Sequence, residues 1–512
     1  MTFRLRDDRN LVSIAEALGV AHVVEGTVRR HGDRVRITIR LVDARTDKAL
    51  WSESYDRDLT DIFAIQSEIA QGVASVLRAR LSPEEKKRIE AKPTNSLKAY
   101  ELYLRANELL RNTRGADIIG NVAKSLHEAI TLLAKAVRLD PKFALAYCAS
   151  ATVNAELYVF GDRTPERRTL AEVALNSATR LQPDLAEAHL ASAYYLYGVY
   201  RDYERARIHL ATARRGLPND STAISLAAYM DRRQGNFEKA IQEFNEAISR
   251  DPRNAEAIAE LGNTLFWTRQ FSAAEQAYDR LIELVPSRPM FKVQKAAILR
   301  AKNGDTSSLR LALAELPTWM ANDVGTLCWR LRYALDDRDL QLAKQLIEQM
   351  SGDEDDGNFV KGSIPVPIGC YSILLARLQK EQRKPNPSFA QTREQLNYRV
   401  QNSPGDDATL LSQLAVVDAL LNSKEAAIWG AKRAVEILPI SIDAMDGPGM
   451  LTNLAAVYAW SGEPERAFET IALLTKSSHG ITYGDLKLSV WWDPLRKDPR
   501  FDKLSAELAP RD

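Results

Sequence analysis

Two stretches near the middle of the chain, 221–252 and 255–286, carry the same pattern of apolar and polar positions. With Ser221 and Ala255 each counted as position 1, apolar residues occupy positions 20, 24 and 27 of both stretches. Spacings of three and four residues put these side chains on one face of an α-helix, which we expect to be buried. The residues are Ala240, Phe244 and Ala247 in the first stretch, and Ala274, Tyr278 and Leu281 in the second.

Each stretch also shows where one helix ends and the next begins. Positions 15 to 17 predict a turn, followed by an aromatic side chain that packs back onto the helix pair. A proline ends each stretch, and proline cannot continue a helix. Each stretch therefore predicts two helices joined by a short turn. The turns are Gly235-Asn236-Phe237 and Arg269-Gln270-Phe271.

The prolines Pro218, Pro252 and Pro286 stand 34 residues apart. This is the period of the tetratricopeptide repeat, a helix–turn–helix unit that stacks into a solenoid, and the two stretches resemble it. Weaker copies extend from Ala129 to Ile471, which gives roughly ten helical hairpins. Between 287 and 404 the fit to the repeat is poor, although the segments LALAELPTWM and LAKQLIEQM still predict helical hairpins there. We expect longer loops near 112–121 and 158–164, and an acidic loop at 351–357.

The first 82 residues have a different pattern. The segment RVRITIRLV alternates apolar and polar residues, as a half-buried β-strand does. AHVVEGTVRR and KALWSESY predict strands on either side of it, and a short helix from Asn10 to Leu18 precedes them. An amphipathic helix follows the strands. Its inward residues are predicted to be Ile62, Ile65, Ile69, Val73, Val76 and Leu77, and those of the short helix Leu11, Ile14, Ala15 and Leu18.

These patterns predict a mainly α fold. It is a tetratricopeptide-repeat α-solenoid preceded by a small α+β domain with a three-strand antiparallel meander. The predicted domains are the α+β domain at 1–82, a linker at 83–95, the solenoid at 96–477 and a capping segment at 478–512. The closing WWDPLRKDPRF should supply the cap, because the last repeat of a solenoid has no neighbour to cover it.

The segment from EALGVAHVVEG to IFAIQSEIA resembles the TolB-like N-terminal domain of bacterial signalling proteins. In that family the domain commonly precedes tetratricopeptide repeats, in class III adenylate cyclases or in transcription regulators with a winged-helix head. The family's domain opens with a further strand, helix and strand, which this sequence lacks, so the resemblance implies a truncated copy. It also implies that the chain is the regulatory portion of a longer signalling protein. No residue here matches a cyclase's catalytic carboxylates, and no catalytic residue is assigned.

Composition narrows the possible functions. The net charge is +1 with no basic stripe, so we expect no nucleic-acid partner. Three distant cysteines and six scattered histidines predict no metal, cofactor or disulfide framework, and the acidic run 353–356 lacks the ligand spacing of a calcium loop. No segment reads as a signal peptide or a membrane span, which predicts a cytoplasmic location. A periplasmic location would follow if the chain belongs to a longer, membrane-anchored protein.

The first helix of each tetratricopeptide repeat lines a concave groove, and repeat positions 2, 5, 9, 12 and 13 point into it. Aromatic residues and arginine, which dominate binding hot spots, are dense at these positions. We predict that a peptide or protein segment binds there, although the same aromatics would also fill the gap between neighbouring helices. Asn263 stands where some family members clamp a peptide carboxylate, but the accompanying lysine is replaced by Ala259. The predicted groove residues are Leu190, Tyr194, Tyr197, Thr222, Ser225, Tyr229, Arg232, Glu256, Asn263, Phe266 and Trp267.

The chain is thus expected to be a non-catalytic interaction scaffold or sensory module. The alternative is a regulatory fragment of an adenylate cyclase or a transcription regulator whose catalytic or DNA-binding head lies outside this chain. Nothing in the sequence specifies the partner or the oligomeric state.

Overall fold

The computed structural model describes residues 11–12, 15, 19–79, 81–113, 119–160, 164–350, 366–380, 387–403 and 407–510. The chain divides into two compact units. The first comprises 1–106 and 132–147, and the second comprises 107–131 and 148–512. The predicted loop at 351–357, most of the helix at 10–18 and parts of both predicted insertions lie outside the described residues.

The first unit contains an antiparallel sheet of three strands in sequence order: β1 (His22–His31), β2 (Arg34–Asp43) and β3 (Lys48–Asp58). The alternation predicted for β2 is confirmed, because its inward side chains are buried. Helix α1 (Ile62–Val76) lies on that apolar face, with Ile65 in the same core. A methyl group at Gly72 would come within 2.8 Å of the Trp51 ring, so the glycine allows α1 to approach β3 closely. The buried residues of β2 are Val35, Ile37, Ile39 and Leu41.

The prediction for the inward face of α1 is wrong at its C-terminal end. Leu77 lies beyond the helix and is exposed, because the chain turns left-handed at Arg78 and leaves the sheet. Phe63, which was not predicted to face inward, is buried and makes an edge-to-face contact with Tyr100. The predicted linker contains the helix α2 (Pro83–Glu90), which Ser82 caps at its N-terminus. The domain boundaries themselves remain a prediction.

The remainder of the described chain is built from helices, most of them in antiparallel pairs. Eight consecutive pairs, from α7–α8 to α21–α22, pack as hairpins. The helices that precede them are α3 (Leu97–Thr113), α4 (Ile119–Leu139), α5 (Ala144–Phe160) and α6 (Pro165–Leu181). The first four hairpins are α7 (Ala186–Tyr195) with α8 (Tyr203–Gly216), α9 (Ser221–Arg233) with α10 (Phe237–Arg250), α11 (Ala255–Trp267) with α12 (Phe271–Leu284), and α13 (Met290–Asn303) with α14 (Ser307–Ala314).

The last four hairpins lead to a short closing segment. A final helix, α24 (Pro499–Leu508), follows a 3-10 turn at Val490–Leu495. The hairpins are α15 (Val324–Asp336) with α16 (Leu340–Met350), α17 (Ile368–Leu378) with α18 (Pro387–Asn402), α19 (Ala408–Leu420) with α20 (Lys424–Ile437), and α21 (Gly447–Trp460) with α22 (Pro464–Lys476). Helix α23 (Tyr483–Leu488) stands between α22 and the 3-10 turn.

The buried stripe predicted on the second helix of each repeat is confirmed. Ala240, Phe244 and Ala247 of α10 are fully buried, and the three corresponding residues of α12 are buried as well. Small residues on the first helix make room for this stripe. A methyl group at Gly262 would lie 3.1 Å from the Tyr278 ring, so the glycine sets the distance between α11 and α12.

The turn between the two helices of a hairpin has a constant backbone geometry. Its central residue is left-handed, with φ between 54° and 84° in five successive hairpins. These residues recur at intervals of 34, 34, 35 and 34, so the repeat register continues past 287, where the sequence pattern is weak. The helical hairpins predicted at LALAELPTWM and LAKQLIEQM are confirmed, although α14 ends at Ala314 and Pro317 starts a separate 3-10 turn. The five residues are Arg201, Gly235, Arg269, Gly304 and Arg338, and together they are called the turn row below.

The closing segment, which was predicted to cap the last repeat, packs against side chains of several hairpins. Trp491 and Trp492 are both buried, in one apolar cluster with side chains of α15, α17, α19 and α21. All three cysteines are buried thiols in the second unit. Burial raises the pKa of Cys148 to about 12, so this thiol is unreactive at neutral pH.

Candidate interaction surface

Three of the predicted groove tyrosines form a continuous line across two hairpins. The rings of Tyr194 and Tyr197 lie 6.3 Å apart at the end of α7. Tyr197 then stacks on Tyr229 of α9, with centroids 6.2 Å apart and an interplanar angle of 25°. Leu190 packs in the same apolar cluster. Helical spacing within α7 and the repeat register between α7 and α9 bring these residues together.

Arg232 continues this line into the next hairpin. Its guanidinium lies 5.4 Å from the centre of the Tyr229 ring and 4.8 Å from that of Trp267 on α11. The same group donates a hydrogen bond of 2.6 Å to Glu260 and one of 3.2 Å to the Thr264 hydroxyl. We call Tyr194, Tyr197, Tyr229, Arg232 and Trp267 the aromatic row. It spans the first helices of three repeats.

Carboxylate and amide groups border the aromatic row. The Tyr229 hydroxyl donates to Glu256 at 2.8 Å, and burial raises the pKa of Tyr229 well above its usual value. The Asn263 amide donates to Glu260 at 3.3 Å, and its oxygen accepts from the Tyr278 hydroxyl at 2.7 Å. The asparagine at the predicted clamp position is therefore held by its own repeat.

The other predicted groove residues lie around this line. Phe266 is half-buried and packs beside Phe271, 6.1 Å away. Thr222 is half-buried, whereas Ser225 is buried and its hydroxyl has no hydrogen-bond partner among the described residues. Arg232 is 7% exposed, so its contribution to a surface is to fix the rings of Tyr229 and Trp267.

Sequence reasoning missed a set of residues that approach the aromatic row from the end of the chain. His479, in the loop between α22 and α23, lies 4.6 Å from the Trp267 ring. Its Nδ1 donates to the Met445 carbonyl at 2.8 Å, and burial lowers its pKa to about 4. Asp443 is fully buried and pairs with Arg233 at 2.7 Å. No repeat period relates these residues to α9 or α11, so the sequence held no signal for the contacts.

Two histidines, one on each helix of the α7–α8 hairpin, lie in contact. The Nδ1 atoms of His189 on α7 and His209 on α8 lie 3.0 Å apart, so one ring donates and the other accepts. Burial, followed by the charge of His189, lowers the pKa of His209. Within the described ranges, no group of three or more His, Cys, Asp and Glu side chains is placed to hold a metal ion.

Among the residues that the structure describes, none of the helices is both long enough and apolar enough to cross a bilayer.

The geometry and the 34-residue period agree with a family match. The family described as Tetratricopeptide repeat matches residues 232–297, from the end of α9 into α13. The chain therefore carries tetratricopeptide repeats, and its fold is a helical solenoid of such hairpins after a small three-strand sheet.

Two curated proteins resemble parts of the chain. Putative adenylate cyclase 3 of Rhizobium meliloti (strain 1021) is 32% identical over 160 residues, which make up 31% of this chain and 26% of that protein. Cellulose synthase 2 operon protein C of Komagataeibacter xylinus is 32% identical over 138 residues, 26% of this chain and 10% of that protein. The chain thus spans about a quarter of the length of the first relative and a tenth of the second.

Solved structures of repeat proteins are similar to it at low identity. Yeast Tom70, for example, is 11% identical, covers 74% of this chain and 99% of its own, and superposes with a TM-score of 0.40.

Proposed function

We propose that this chain is a non-catalytic protein–protein interaction scaffold that binds a peptide or protein segment along the aromatic row. The observation that carries the proposal is the unbroken line of rings and guanidinium from Tyr194 to Trp267. Tyrosine and tryptophan give large contact areas at low entropic cost, and these two residues together with arginine provide most of the affinity at protein interfaces.

The groups that border the row support a peptide as the ligand. Glu256 accepts from Tyr229 of the preceding repeat, and Glu260 accepts from Arg232 of that repeat and from Asn263. Both carboxylates are half-buried beside the row, and a carboxylate has about four acceptor positions. An extended peptide offers alternating side chains to the rings and backbone donors to these carboxylates. The proposed contact residues are the partly exposed members of the predicted set: Leu190, Tyr194, Tyr197, Thr222, Tyr229, Glu256, Asn263, Phe266 and Trp267.

A displayed library of random 12-residue peptides tests this function. Peptides enriched on the parent chain are labelled, and their affinity is measured by fluorescence anisotropy. The double variant Tyr194→Ala/Phe266→Ala should weaken binding at least tenfold, because both side chains are half-buried and neither is a fully buried core residue. The control is Trp429→Ala, which removes an aromatic side chain that is 66% exposed on α20, a second helix.

Equal losses in both variants would show that peptides bind exposed aromatics without regard to the row. Unchanged binding in the double variant would place the peptide site elsewhere. The melting temperature of each variant is measured beside its affinity, so that a loss of fold is not read as a loss of contact.

A second function is favoured by the likeness to a putative adenylate cyclase. In this proposal the chain is the regulatory region of such an enzyme, residues 1–82 are a truncated TolB-like domain, and the cyclase domain lies outside the chain. The DNA upstream of codon 1 tests it. An in-frame region that encodes the missing strand, helix and strand, together with a cyclase domain, would support the proposal. A stop codon directly upstream, with no cyclase gene adjacent, would contradict it.

A further inference from the structure

Three of the five residues in the turn row are arginines, although glycine adopts the left-handed backbone conformation with the least strain. A left-handed conformation strains any residue with a Cβ by about 1–2 kcal/mol, so glycine is the expected residue. Arg201, Arg269 and Arg338 nevertheless have φ values of 54°, 59° and 61°. Strain that a fold retains at equivalent positions calls for a compensating contact.

Arg201 makes that contact with the loop between α20 and α21. Its guanidinium donates to Asp446 at 2.6 Å and pairs with Asp443 at 3.1 Å. In the next hairpin Arg233 binds the same two carboxylates, at 2.7 and 3.0 Å. Beside it the Ala444 amide donates to the Arg233 carbonyl at 2.7 Å. A methyl group at Gly235 would lie 3.7 Å from the Ala444 Cβ, so the loop rests on that turn.

The other three turns contact the segment between α22 and the final helix. Arg269 donates to the Ile481 carbonyl at 3.0 Å. Gly304 faces Lys487, whose Cδ would lie 2.6 Å from a methyl group on the glycine. Arg338 donates to the Leu488 carbonyl at 2.6 Å and to Asp493 at 2.7 Å. Residues 438–446 and 477–493, called the clasp below, therefore touch every turn of the row in sequence order.

In most polar contacts between the turn row and the clasp, the turn row donates the hydrogen bond and the clasp accepts it. The row supplies guanidinium donors, and the clasp supplies carboxylates and backbone carbonyls. Arg300 and Arg332, in the hairpins between Arg269 and Arg338, add pairs with Asp485 at 2.9 Å. The pKa of Asp485 falls to about 2, since these cations outweigh the opposing effect of its burial.

The middle position of the row is incompletely paired. Among the described residues Arg269 forms no ion pair, and it donates only to the carbonyls of Ile481 and Leu474. Its Nε is buried without a hydrogen-bond partner, and burial lowers the pKa of the group. A chain segment with a carboxylate at this point would satisfy Arg269 better than the clasp does.

We propose that the turn row is a second interaction surface that binds an acidic extended chain segment. It adjoins the aromatic row, since Arg233 donates to the Tyr197 hydroxyl at 3.0 Å and His479 of the clasp lies against Trp267. In this structure the clasp fills the surface as an intramolecular ligand. The loop 438–446 is the part able to leave without unfolding a helix, because it contains no helical residue and its Ile442 is 53% exposed. Its release uncovers Arg201 and Arg233 for an external segment with the same spacing of carboxylates.

Two variants of the full chain test the two sides of this contact one at a time. Asp446→Asn weakens the clasp and leaves the arginines in place. Arg201→Gly weakens the row and suits the left-handed turn. Lys380→Gly is the matched control, because Lys380 is also left-handed (φ 58°), lies in the turn after α17 and is not a member of the turn row. Hydrogen exchange is followed at residues 438–446 and in the helices α9 to α12.

The binding probe is a labelled synthetic peptide with the sequence of residues 438–449, beside a copy in which both aspartates are asparagine. Both test variants should raise exchange in 438–446 at least tenfold, with little change in the helices. Only Asp446→Asn should also bind the acidic peptide at least tenfold more tightly than the parent chain. The asparagine copy should not bind to any of the variants, and Lys380→Gly should behave as the parent.

Two results would overturn the proposal. Exchange that rises equally in the loop and in α9 to α12 would show that the clasp is inseparable from the core. Local opening without a gain in peptide affinity for Asp446→Asn would show that the uncovered row binds no acidic segment. The acidic peptide and the library peptides of the proposed function are different probes, so a failure here is distinguished from a failure of the proposed function.

Discussion

His479 joins three parts of the second unit through a single side chain. Its ring lies against Trp267, and its Nδ1–H binds the Met445 carbonyl in the clasp. An unpaired charge would be costly there, which is why burial holds the pKa of His479 at about 4. The sequence showed only an isolated histidine, since the residues around it come from segments more than 30 positions away.

This histidine predicts that acid weakens the folded state. In the unfolded chain its pKa returns to about 6.5, so the unfolded state binds the extra proton first as pH falls. Stability from this group is complete above pH 6.5 and decreases from there down to about pH 4. Between pH 7 and pH 5 the parent should therefore lose about 1–2 kcal/mol more than His479→Asn, which keeps an N–H donor but does not titrate.

Urea titrations at both pH values measure the difference. His31→Asn, at an exposed position on β1, is the control and should keep the parent's pH dependence. An identical loss in the parent and in His479→Asn would assign the acid sensitivity to other groups.

At the scale of the elements, the sequence predicted where the helices lie better than it predicted which elements pack against them. The second helices were predictable because Ala240, Phe244 and Ala247 repeat the spacing of a single buried face. The aromatic row was predictable because the 34-residue register places α7, α9 and α11 side by side. The register was hard to follow after 287 because the apolar pattern becomes less regular and one interval lengthens to 35 residues, although Gly304 and Arg338 keep the turn geometry.

The docking of α23 onto α13 was not predictable, and it depends on one glycine. A methyl group at Gly484 would lie 1.8 Å from the Arg300 carbonyl oxygen, which cannot yield because it belongs to a helix. Gly484→Ala should therefore lower the free energy of unfolding by about 2–4 kcal/mol, in the range of overpacked cores. Gly462→Ala should cost only about 1–2 kcal/mol, because its site is open and only its left-handed backbone (φ 73°) resists a side chain.

Chemical denaturation of both variants gives the comparison. Equal costs would mean that α23 shifts away from α13 with little loss, and hydrogen exchange at Leu486 would then rise in Gly484→Ala alone.

At the scale of the whole molecule, two units with different sequence patterns share one chain. The change from alternation with period two to spacings of three and four residues was visible in the sequence, and the domain boundaries drawn from it remain a prediction. The contacts of the C-terminal segment were only partly predictable. The sequence indicated that Trp491 and Trp492 cover an exposed helix, but not that the preceding loops reach back to turns about 200 residues earlier.

The closing segment predicts a large contribution to stability. Trp492 is fully buried in the cluster that joins four hairpins, so Trp492→Ala should lower the free energy of unfolding by about 3–5 kcal/mol. Trp319→Ala removes the same side chain at a site that is 68% exposed and should cost less than about 0.5 kcal/mol. Thermal and urea unfolding measure both. A cost below 1 kcal/mol for Trp492→Ala would show that the segment is not part of the cooperative core.

The regular spacing of the turn row has a consequence for how the gene can change. Loops of most proteins tolerate insertions, and an isolated solenoid would tolerate a lengthened hairpin wherever its neighbours still stack. Here a codon gained or lost between Arg201 and Arg338 would displace a turn from a contact encoded some 150 to 245 codons downstream. The part of the gene that encodes the turns and the part that encodes the clasp must therefore keep matching lengths. Within this stretch, natural variants should accumulate substitutions while insertions and deletions are rare.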